Sequence, residues 1–335
     1  MDRRSVITGF MGLGTLAACS PEASGSSAKT ASTKIRFATD WKAQAEQGGF
    51  YQALATGLYA AKGLDVSIIA GGPAVNVPQL VAAGAVEMGM GSNSFIPLNI
   101  VKAGAPVRAV MASFQKDPQV LLTHPRDDIK DLADMKGKPV MLADASITAF
   151  WVWLKAKYGF TDAQVRKYTF NAAPFLADKT AIQQGYLTSE PYTIATKGGV
   201  LPKIFLLADY GYPSYGAMVL APQSLIDANP AAVKSFVDAT IQGWTDYLFG
   251  DSTKGDSAIK KDNPDMDDAT LKQAREKMVA YGMVGPTTKD QGGIGVMTDA
   301  RWKEFFDVMA AAGVYPKELD WKKAFTLQFV GGGKA

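Results

Sequence analysis

The chain has 335 residues, of which 47% are hydrophobic and 20% are charged, and its formal net charge is +3. This length is enough for two domains that each bury a core, and the composition is that of a globular protein. The small charge, with no cluster of Lys and Arg, argues against nucleic acid as a partner. We therefore expect small molecules and proteins as partners.

The first residues have the layout of an export signal. Arg3 and Arg4 precede an apolar run over residues 6–18 that is too short to span a bilayer. The paired arginines fit a twin-arginine signal, and a Sec signal with two basic residues has much the same pattern. Residues 1–18 are therefore predicted to be a signal peptide.

Cys19 is the only cysteine of the chain and follows Leu16, Ala17 and Ala18. This order resembles a bacterial lipobox, in which the cysteine is lipidated and becomes the first residue of the mature chain. Ordinary cleavage after small residues is the alternative. Residues 19–33 would then be a lipidated cysteine and a flexible polar tether. We expect an exported periplasmic lipoprotein that touches the membrane through its anchor only.

From residue 34 onwards the hydrophobic pattern predicts alternating strands and helices. Strands are predicted at KIRFAT, LDVSIIA, VEMGMG, AVMASF, VLLTHP, KPVMLAD, KYTFNA, KIFLLADYG and YGAMVLAP. A helix is predicted to end at Gly185, and helices without intervening strands follow YGAMVLAP. The aromatic residues and the methionine at helical spacing in those late helices are assigned to the core: Trp244, Tyr247, Trp302, Phe305, Phe306 and Met309.

This order of elements predicts an α/β fold in which one lobe interrupts another. Residues 34–120 and 214–335 are predicted to form the first lobe, and residues 121–213 the second. The chain then crosses twice between the lobes, and the two crossings form a hinge.

Polar and aromatic residues follow two predicted strands of the first lobe. Asp40 and Trp41 come directly after the first strand, where open α/β sheets bind their ligands. Ser92 and Asn93 follow VEMGMG at a predicted helix N-terminus, whose free N–H groups can receive an acceptor atom. Simple helix capping explains Ser92 and Asn93 equally well.

The second lobe contributes QQGYLTSEPY, residues 183–192. Tyr186 offers a ring that can stack on a flat ligand, and Glu190 offers a carboxylate that can accept N–H bonds from it. An ordinary surface loop is the alternative. The catalytic equipment of common enzymes is missing, because His124 is the only histidine and no nucleophile motif is present. The sequence therefore predicts a binding protein without metal or cofactor.

Three stretches carry a family resemblance: DWKAQAEQGGFYQALATGLYAAKGLDVSI from Asp40, GGPAVNVPQLVAAGAVEMGMG from Gly71, and QQGYLTSEPY from Gln183. They resemble the SsuA/THI5-like group of periplasmic solute-binding proteins, and within it the branch that binds thiamine pyrimidine precursors. The resemblance implies a periplasmic binding protein fold of type II that closes on its ligand. It also implies delivery of that ligand to an ABC permease with its ATPase.

The same resemblance implies that Asp40, Trp41 and Glu190 hold a pyrimidine, with Tyr186 beside them. The loop after Trp41 departs from the pattern of that branch, since it reads KAQAEQ over residues 42–47. A flavin or another substituted heterocycle therefore remains an alternative ligand. A sulfonate, taurine or nitrate carrier is a further alternative, although two acidic groups in one cleft disfavour an anion.

Two other functions remain open at this point. A THI5-like pyrimidine synthase is disfavoured, because the histidine and the cysteine-rich segment that belong to that chemistry are missing. A ligand-sensing lipoprotein without a transporter is the third option. We expect a monomer that binds a small aromatic heterocycle, with Trp41 and Tyr186 stacking on the ring and Asp40 and Glu190 accepting its N–H groups. The remaining polar atoms of the ligand are assigned to Ser92, Asn93, Gln115 and Thr148.

Overall fold

A computed structural model describes residues 32–285 and 293–330 of the chain. Ten strands lie within these described residues. They are β1 (Thr33–Ala38), β2 (Leu64–Ile69), β3 (Met88–Asn93), β4 (Val107–Phe114), β5 (Gln119–Thr123), β6 (Val140–Leu142), β7 (Val165–Lys167), β8 (Ile182–Tyr186), β9 (Lys203–Leu206) and β10 (Gly216–Pro222).

The same residues form helices on both sides of these strands. The α-helices are α1 (Gly48–Ala55), α2 (Leu58–Ala61), α3 (Val77–Ala82), α4 (Phe95–Lys102), α5 (Asp144–Ile147), α6 (Phe150–Tyr158), α7 (Ala173–Ala177), α8 (Glu190–Gly198), α9 (Gln223–Ala228), α10 (Pro230–Phe249), α11 (Thr253–Asp262), α12 (Asp268–Ala280) and α13 (Asp299–Ala311). Short 3-10 helices cover Ala45–Gln47, Leu132–Met135, Asp162–Gln164, Leu207–Tyr210 and Trp321–Ala324.

The strands form two mixed sheets. The first has the order β2-β1-β3-β10-β4 and the second the order β7-β6-β8-β5-β9. In the first sheet β1 is parallel to β2 and β3, whereas β10 is antiparallel to β3 and β4. In the second, β6 is parallel to β7 and β8, whereas β5 is antiparallel to β8 and β9. The chain enters the second sheet between β4 and β5 and returns between β9 and β10. These two α/β layers and two crossings agree with the predicted fold class.

Helices α1 and α10 pack with almost no space between their backbones. A Cβ atom on Gly243 would lie 2.3 Å from the carbonyl oxygen of Gly49, and one on Gly49 would lie 2.2 Å from the ring of Trp244. Both positions therefore depend on glycine. This contact fixes the start of α1, which directly follows the loop after β1.

The aromatic residues and the methionine that the sequence assigns to the core are all buried. They are at most 5% exposed: Trp244, Tyr247, Trp302, Phe305, Phe306 and Met309. The core assignment is therefore confirmed.

Two predicted elements are wrong. The segment around Gly185 is strand β8 and not the end of a helix, because each of its residues pairs with a residue of β5 between Gln119 and Thr123. Pairing with a partner strand overrides the local preference of a Gln-rich segment for helix. KYTFNA is not a strand over its whole length, since β7 ends at Lys167 and Phe170 has a left-handed backbone with φ of 60°.

Candidate functional site

Asp40 and Ser92 lie side by side at one edge of the first sheet. They are brought together because β1 and β3 are neighbouring parallel strands whose carboxyl ends reach the same edge. The hydroxyl of Ser92 donates a hydrogen bond of 2.5 Å to Oδ2 of Asp40. Loss of hydration raises the pKa of the half-buried Asp40 carboxyl, and the hydrogen bonds from Ser92 and Gln47 oppose that rise.

Glu190 is held by the strand that precedes it and by a tyrosine from another segment. Its Oε2 atom accepts the backbone N–H of Tyr186 at 2.7 Å, where β8 ends. Its Oε1 atom accepts the hydroxyl of Tyr168 at 3.2 Å. Loss of hydration raises the pKa of Glu190, and the nearby charge of Glu46 adds to that rise. The two hydrogen bonds therefore fix the orientation of the Glu190 carboxyl, but they do not fully offset its loss of hydration.

Charges from segments of both sheets act on Tyr186, which ends β8. Burial raises the pKa of Tyr186 well above its ordinary value, and the charges of four carboxylates raise it further. These carboxylates belong to Asp117, Asp40, Glu46 and Glu190. The site is therefore acidic and contains aromatic rings.

The sequence assigns no role to Glu46, although the loop that contains it departs from the pattern of the thiamine branch. It lies in the 3-10 helix after β1, is 6% exposed, and accepts a hydrogen bond from the hydroxyl of Thr188. The carbonyl oxygen of Thr188 accepts a second bond, from Nε2 of Gln273 at 2.6 Å. Loss of hydration raises the pKa of Glu46. Thr188 follows β8, so this cluster joins a segment that follows a strand of the first sheet to a segment that follows a strand of the second.

An aromatic contact also spans the two sheets. The ring centroids of Trp41, after β1, and Phe170, after β7, are 5.0 Å apart with an angle of 48° between the rings. The ring of Tyr168 also packs against Phe170, at a centroid distance of 5.3 Å. The left-handed backbone of Phe170 costs about 1 to 2 kcal/mol, because this residue is not glycine. Tyr168 and Phe170 were missed, because KYTFNA was interpreted as strand; the aromatic residues in that segment were the available signal.

Asp117 lies at the crossing between β4 and β5. It is 1% exposed, its Oδ1 atom accepts the N–H of Gln119 at 3.0 Å, and burial raises its pKa to about 7. The positive charge of Arg301 opposes this rise. Arg301 itself donates to the carbonyl oxygens of Pro213 and Ser214 at 3.1 and 2.9 Å. Arg301 thus fastens α13 to the crossing between β9 and β10.

Three of the predicted ligand-binding residues use their polar atoms within the fold. Oδ1 of Asn93 accepts the N–H of Phe95 at 3.1 Å. Nε2 of Gln115 donates to the carbonyl oxygens of Ala112 and Val296, each at 2.9 Å. Thr148 is exposed beyond α5, and its hydroxyl donates to the carbonyl oxygen of Ala145 at 3.4 Å. The structure therefore joins Asp40 to Ser92 and Tyr186 to Glu190 by hydrogen bonds, and ligand-binding roles for all the predicted site residues stay predictions.

Two negative findings concern the described residues. Within residues 32–285 and 293–330, no group of three His, Cys, Asp or Glu side chains is arranged to hold a metal ion. In the same ranges no helix is long and apolar enough to cross a membrane. Cys19, the predicted signal and the predicted tether up to residue 31 lie outside the described residues, whereas Thr33, the last residue of that predicted tether, belongs to β1.

Comparison with known proteins gives one relative in sequence and several in structure. The chain is 26% identical over 295 residues to the riboflavin-binding protein RibY of Chloroflexus aurantiacus. The aligned region covers 85% of this chain and 82% of the relative. The aliphatic sulphonate-binding protein SsuA of Escherichia coli superposes with a TM-score of 0.65 at 15% identity, covering 88% of this chain and 92% of that protein.

Two further structures share the fold. The nitrate-binding protein NrtA of Synechocystis PCC 6803 has a TM-score of 0.60 at 13% identity, covering 89% of this chain and 87% of its own. The desulfurization enzyme DSZB has a TM-score of 0.55 at 11% identity, with 89% and 97% covered. The predicted periplasmic binding protein fold is thereby confirmed.

The family model described as NMT1/THI5 like matches residues 44–249, which is more than half of the chain. The matched range runs from the loop that contains Glu46, through both sheets, to the end of α10. The predicted family is confirmed as well: this chain belongs to the NMT1/THI5-like family.

Proposed function

We propose that this protein is the extracytoplasmic solute-binding component of an ABC importer and that it binds a flat, N–H-bearing aromatic heterocycle. The observation that carries the proposal is that the segments after β1 and β8 meet, through Glu46 and Thr188, so that acidic side chains from both sheets lie near one another. These carboxylates belong to segments that follow β1 and β8, and one polar ligand placed between the segments can donate hydrogen bonds to several of them.

The site offers the ligand two kinds of contact. Trp41 and Tyr186 provide ring faces for stacking, and Asp40 and Glu190 accept N–H groups. Because loss of hydration raises the pKa of both acids, either can also take up a proton and donate to a ring carbonyl or ring nitrogen. A heterocycle with adjacent donors and acceptors fits this pair.

Riboflavin and the pyrimidine precursor of thiamine are the two candidate ligands. The relative RibY is named for riboflavin and matches 85% of this chain, which favours a flavin. The resemblance of the segments around Asp40 and Glu190 to the thiamine branch favours the pyrimidine. Both candidates are planar and carry N–H groups on the ring system.

An anionic ligand fits the site less well, although SsuA and NrtA share the fold. Sulfonate and nitrate carry negative charge, and the charges that act on Tyr186 include those of Asp40, Glu46 and Glu190. Like charges in a closed, poorly hydrated cleft repel strongly. We therefore propose that sulfonate, taurine and nitrate are not the solutes.

We also propose that the protein is not an enzyme, although DSZB shows that this fold can support catalysis. His124, the only histidine of the chain, is buried with its Nε2 atom 2.7 Å from the carbonyl oxygen of Phe175. Its ring stacks on that of Phe175 at a centroid distance of 4.4 Å. The imidazole therefore has a structural partner.

The proposed transport function includes a lipid anchor at Cys19, and the mature protein is proposed to be a periplasmic monomer. Fractionation of the native host should place the wild type with the membranes and Cys19→Ser in the soluble fraction. Equal distribution of both proteins would contradict the anchor, because a peptide tether alone does not hold a protein at a bilayer.

Calorimetric titration of the mature protein tests the ligand class. The panel consists of riboflavin, the hydroxymethylpyrimidine precursor of thiamine, taurine and nitrate. We expect one of the two heterocycles to bind and the two anions to give no heat. Binding of an anion and of neither heterocycle would overturn the proposal.

A further inference from the structure

The contact between Trp41 and Phe170 is the only described ring-to-ring contact that joins the segment after β1 to the segment after β7. Both segments leave the carboxyl end of a parallel strand, the usual location of a ligand in such sheets. Phe170 is nevertheless 50% exposed. A large apolar ring so exposed beside a cleft is available to a ligand.

The two rings are not in an arrangement that suits them alone. Their angle of 48° is neither an offset stack nor a T-shaped contact, which are the two preferred geometries. The backbone of Phe170 is left-handed, with φ of 60°. Strained residues of this kind concentrate at ligand-binding positions, where the surrounding structure enforces the conformation.

We propose that Phe170 is a ligand-binding residue and that the aromatic ring of the solute inserts between Phe170 and Trp41. The inference rests on the proposed function and assigns to Phe170 the ring face opposite Trp41, which the sequence assigned to Tyr186. The ligand class is thereby narrowed to solutes that are flat and apolar on both faces of the ring.

Insertion requires the two rings to separate. Two successive contacts between carbon layers span about 7 to 8 Å, and the centroids are 5.0 Å apart here. A small separation of the segments after β1 and β7 therefore opens a slot between Trp41 and Phe170 that is wide enough for one ligand ring. The structure thus represents a closed, collapsed slot in which the protein's own rings touch.

Tyr168 links the slot to the acidic part of the site. Its ring packs against Phe170 at 5.3 Å, and its hydroxyl donates to Oε1 of Glu190. One short segment therefore positions both a stacking face and a carboxylate. A solute ring that lies on Phe170 is placed with its edge towards Glu190, where its N–H groups can be accepted.

Variants of Phe170 test the proposal through two readouts, the affinity for riboflavin or hydroxymethylpyrimidine and the melting temperature without ligand. Phe170→Gly removes the ring and relieves the left-handed strain, so we expect binding about ten- to a hundredfold weaker without a lower melting temperature. Phe170→Tyr keeps the ring and should stay within about threefold of wild type. The matched control is Leu201→Ala, because Leu201 is 79% exposed on the same lobe.

The outcomes separate this inference from the proposed function. Normal binding by Phe170→Gly, with wild type binding one heterocycle, would overturn the inference and leave the proposed function intact. Weak binding by both Phe170→Gly and Phe170→Leu, with Phe170→Tyr normal, supports the slot, since Leu keeps the bulk without the ring. A ligand-bound crystal structure with the two rings still in contact would also overturn it.

Discussion

The hydroxyl of Tyr168 donates a hydrogen bond of 3.2 Å to Glu190. Tyr168 lies in the segment after β7, whereas Glu190 lies in the segment after β8. The same carboxyl accepts the backbone N–H of Tyr186 at 2.7 Å. Glu190 is therefore oriented before any ligand arrives, which lowers the entropic cost of using it for recognition. This relationship makes Glu190 the first residue to test.

Replacement of Glu190 by Gln should weaken binding of the heterocycle about ten- to a hundredfold. The reason is that a hydrogen bond to a charged group contributes roughly 1.5 to 3 kcal/mol, and an amide offers one acceptor oxygen in place of two. Titration calorimetry measures the change. Glu318→Gln, at an exposed position, is the matched control and should bind normally. Unchanged affinity in Glu190→Gln would remove this residue from the site.

Asp117 should contribute stability to the folded protein that is lost as the pH rises from about 4 to about 7. Its pKa is about 7 in the folded protein and 3.8 is its ordinary value, so over this range the folded state keeps a proton that the unfolded state has lost. Unfolding then releases a proton, and a higher pH favours it. The contribution is at most about 4 kcal/mol.

Asp117→Asn isolates that effect. The amide keeps an acceptor for the N–H of Gln119 and cannot titrate, so urea unfolding of this variant should depend less on pH than that of the wild type. Asp209→Asn, which changes an exposed acid paired with Lys116, should keep the wild-type slope. Parallel curves for wild type and Asp117→Asn would show that Asp117 does not titrate in this range.

Thr188→Val should weaken closure on the ligand. The substitution removes the hydroxyl that donates to Glu46 and leaves a buried carboxyl without that partner. Leaving such a group unsatisfied costs about 1 to 3 kcal/mol, so we expect affinity for the heterocycle to fall about tenfold. Thr196→Val, at an exposed threonine of α8, is the control. An equal loss in both variants would indicate a general effect of the substitution.

Gly243→Ala should destabilise the fold by about 1 to 3 kcal/mol. Alanine favours helix over glycine by up to about 1 kcal/mol, but the added Cβ would lie 2.3 Å from the backbone oxygen of Gly49, which cannot rotate away. The steric cost therefore exceeds the gain in propensity. Gly72→Ala meets nothing within 4 Å and should melt like the wild type. Thermal unfolding compares the two.

Local patterns were sufficient for most elements but failed around Gly185. The alternation of apolar and helical segments predicted two α/β layers and two crossings, since burial of an apolar face imposes a period on each segment. The stretch Ile182–Tyr186 carries glutamines that suit a helix, and only its pairing with Gln119–Thr123 makes it a strand. Local preference cannot reveal a partner strand almost 60 residues away in sequence.

The site divides in the same way. The sequence by itself determined the family, the position of Asp40 and Trp41 after a strand, and the pairing of a tyrosine with Glu190, because short motifs and strand ends are local properties. Only the tertiary structure decided that Glu46 meets Thr188 and that Phe170 faces Trp41. Those contacts join segments that are far apart in the chain, and their geometry is set by how the two sheets come together.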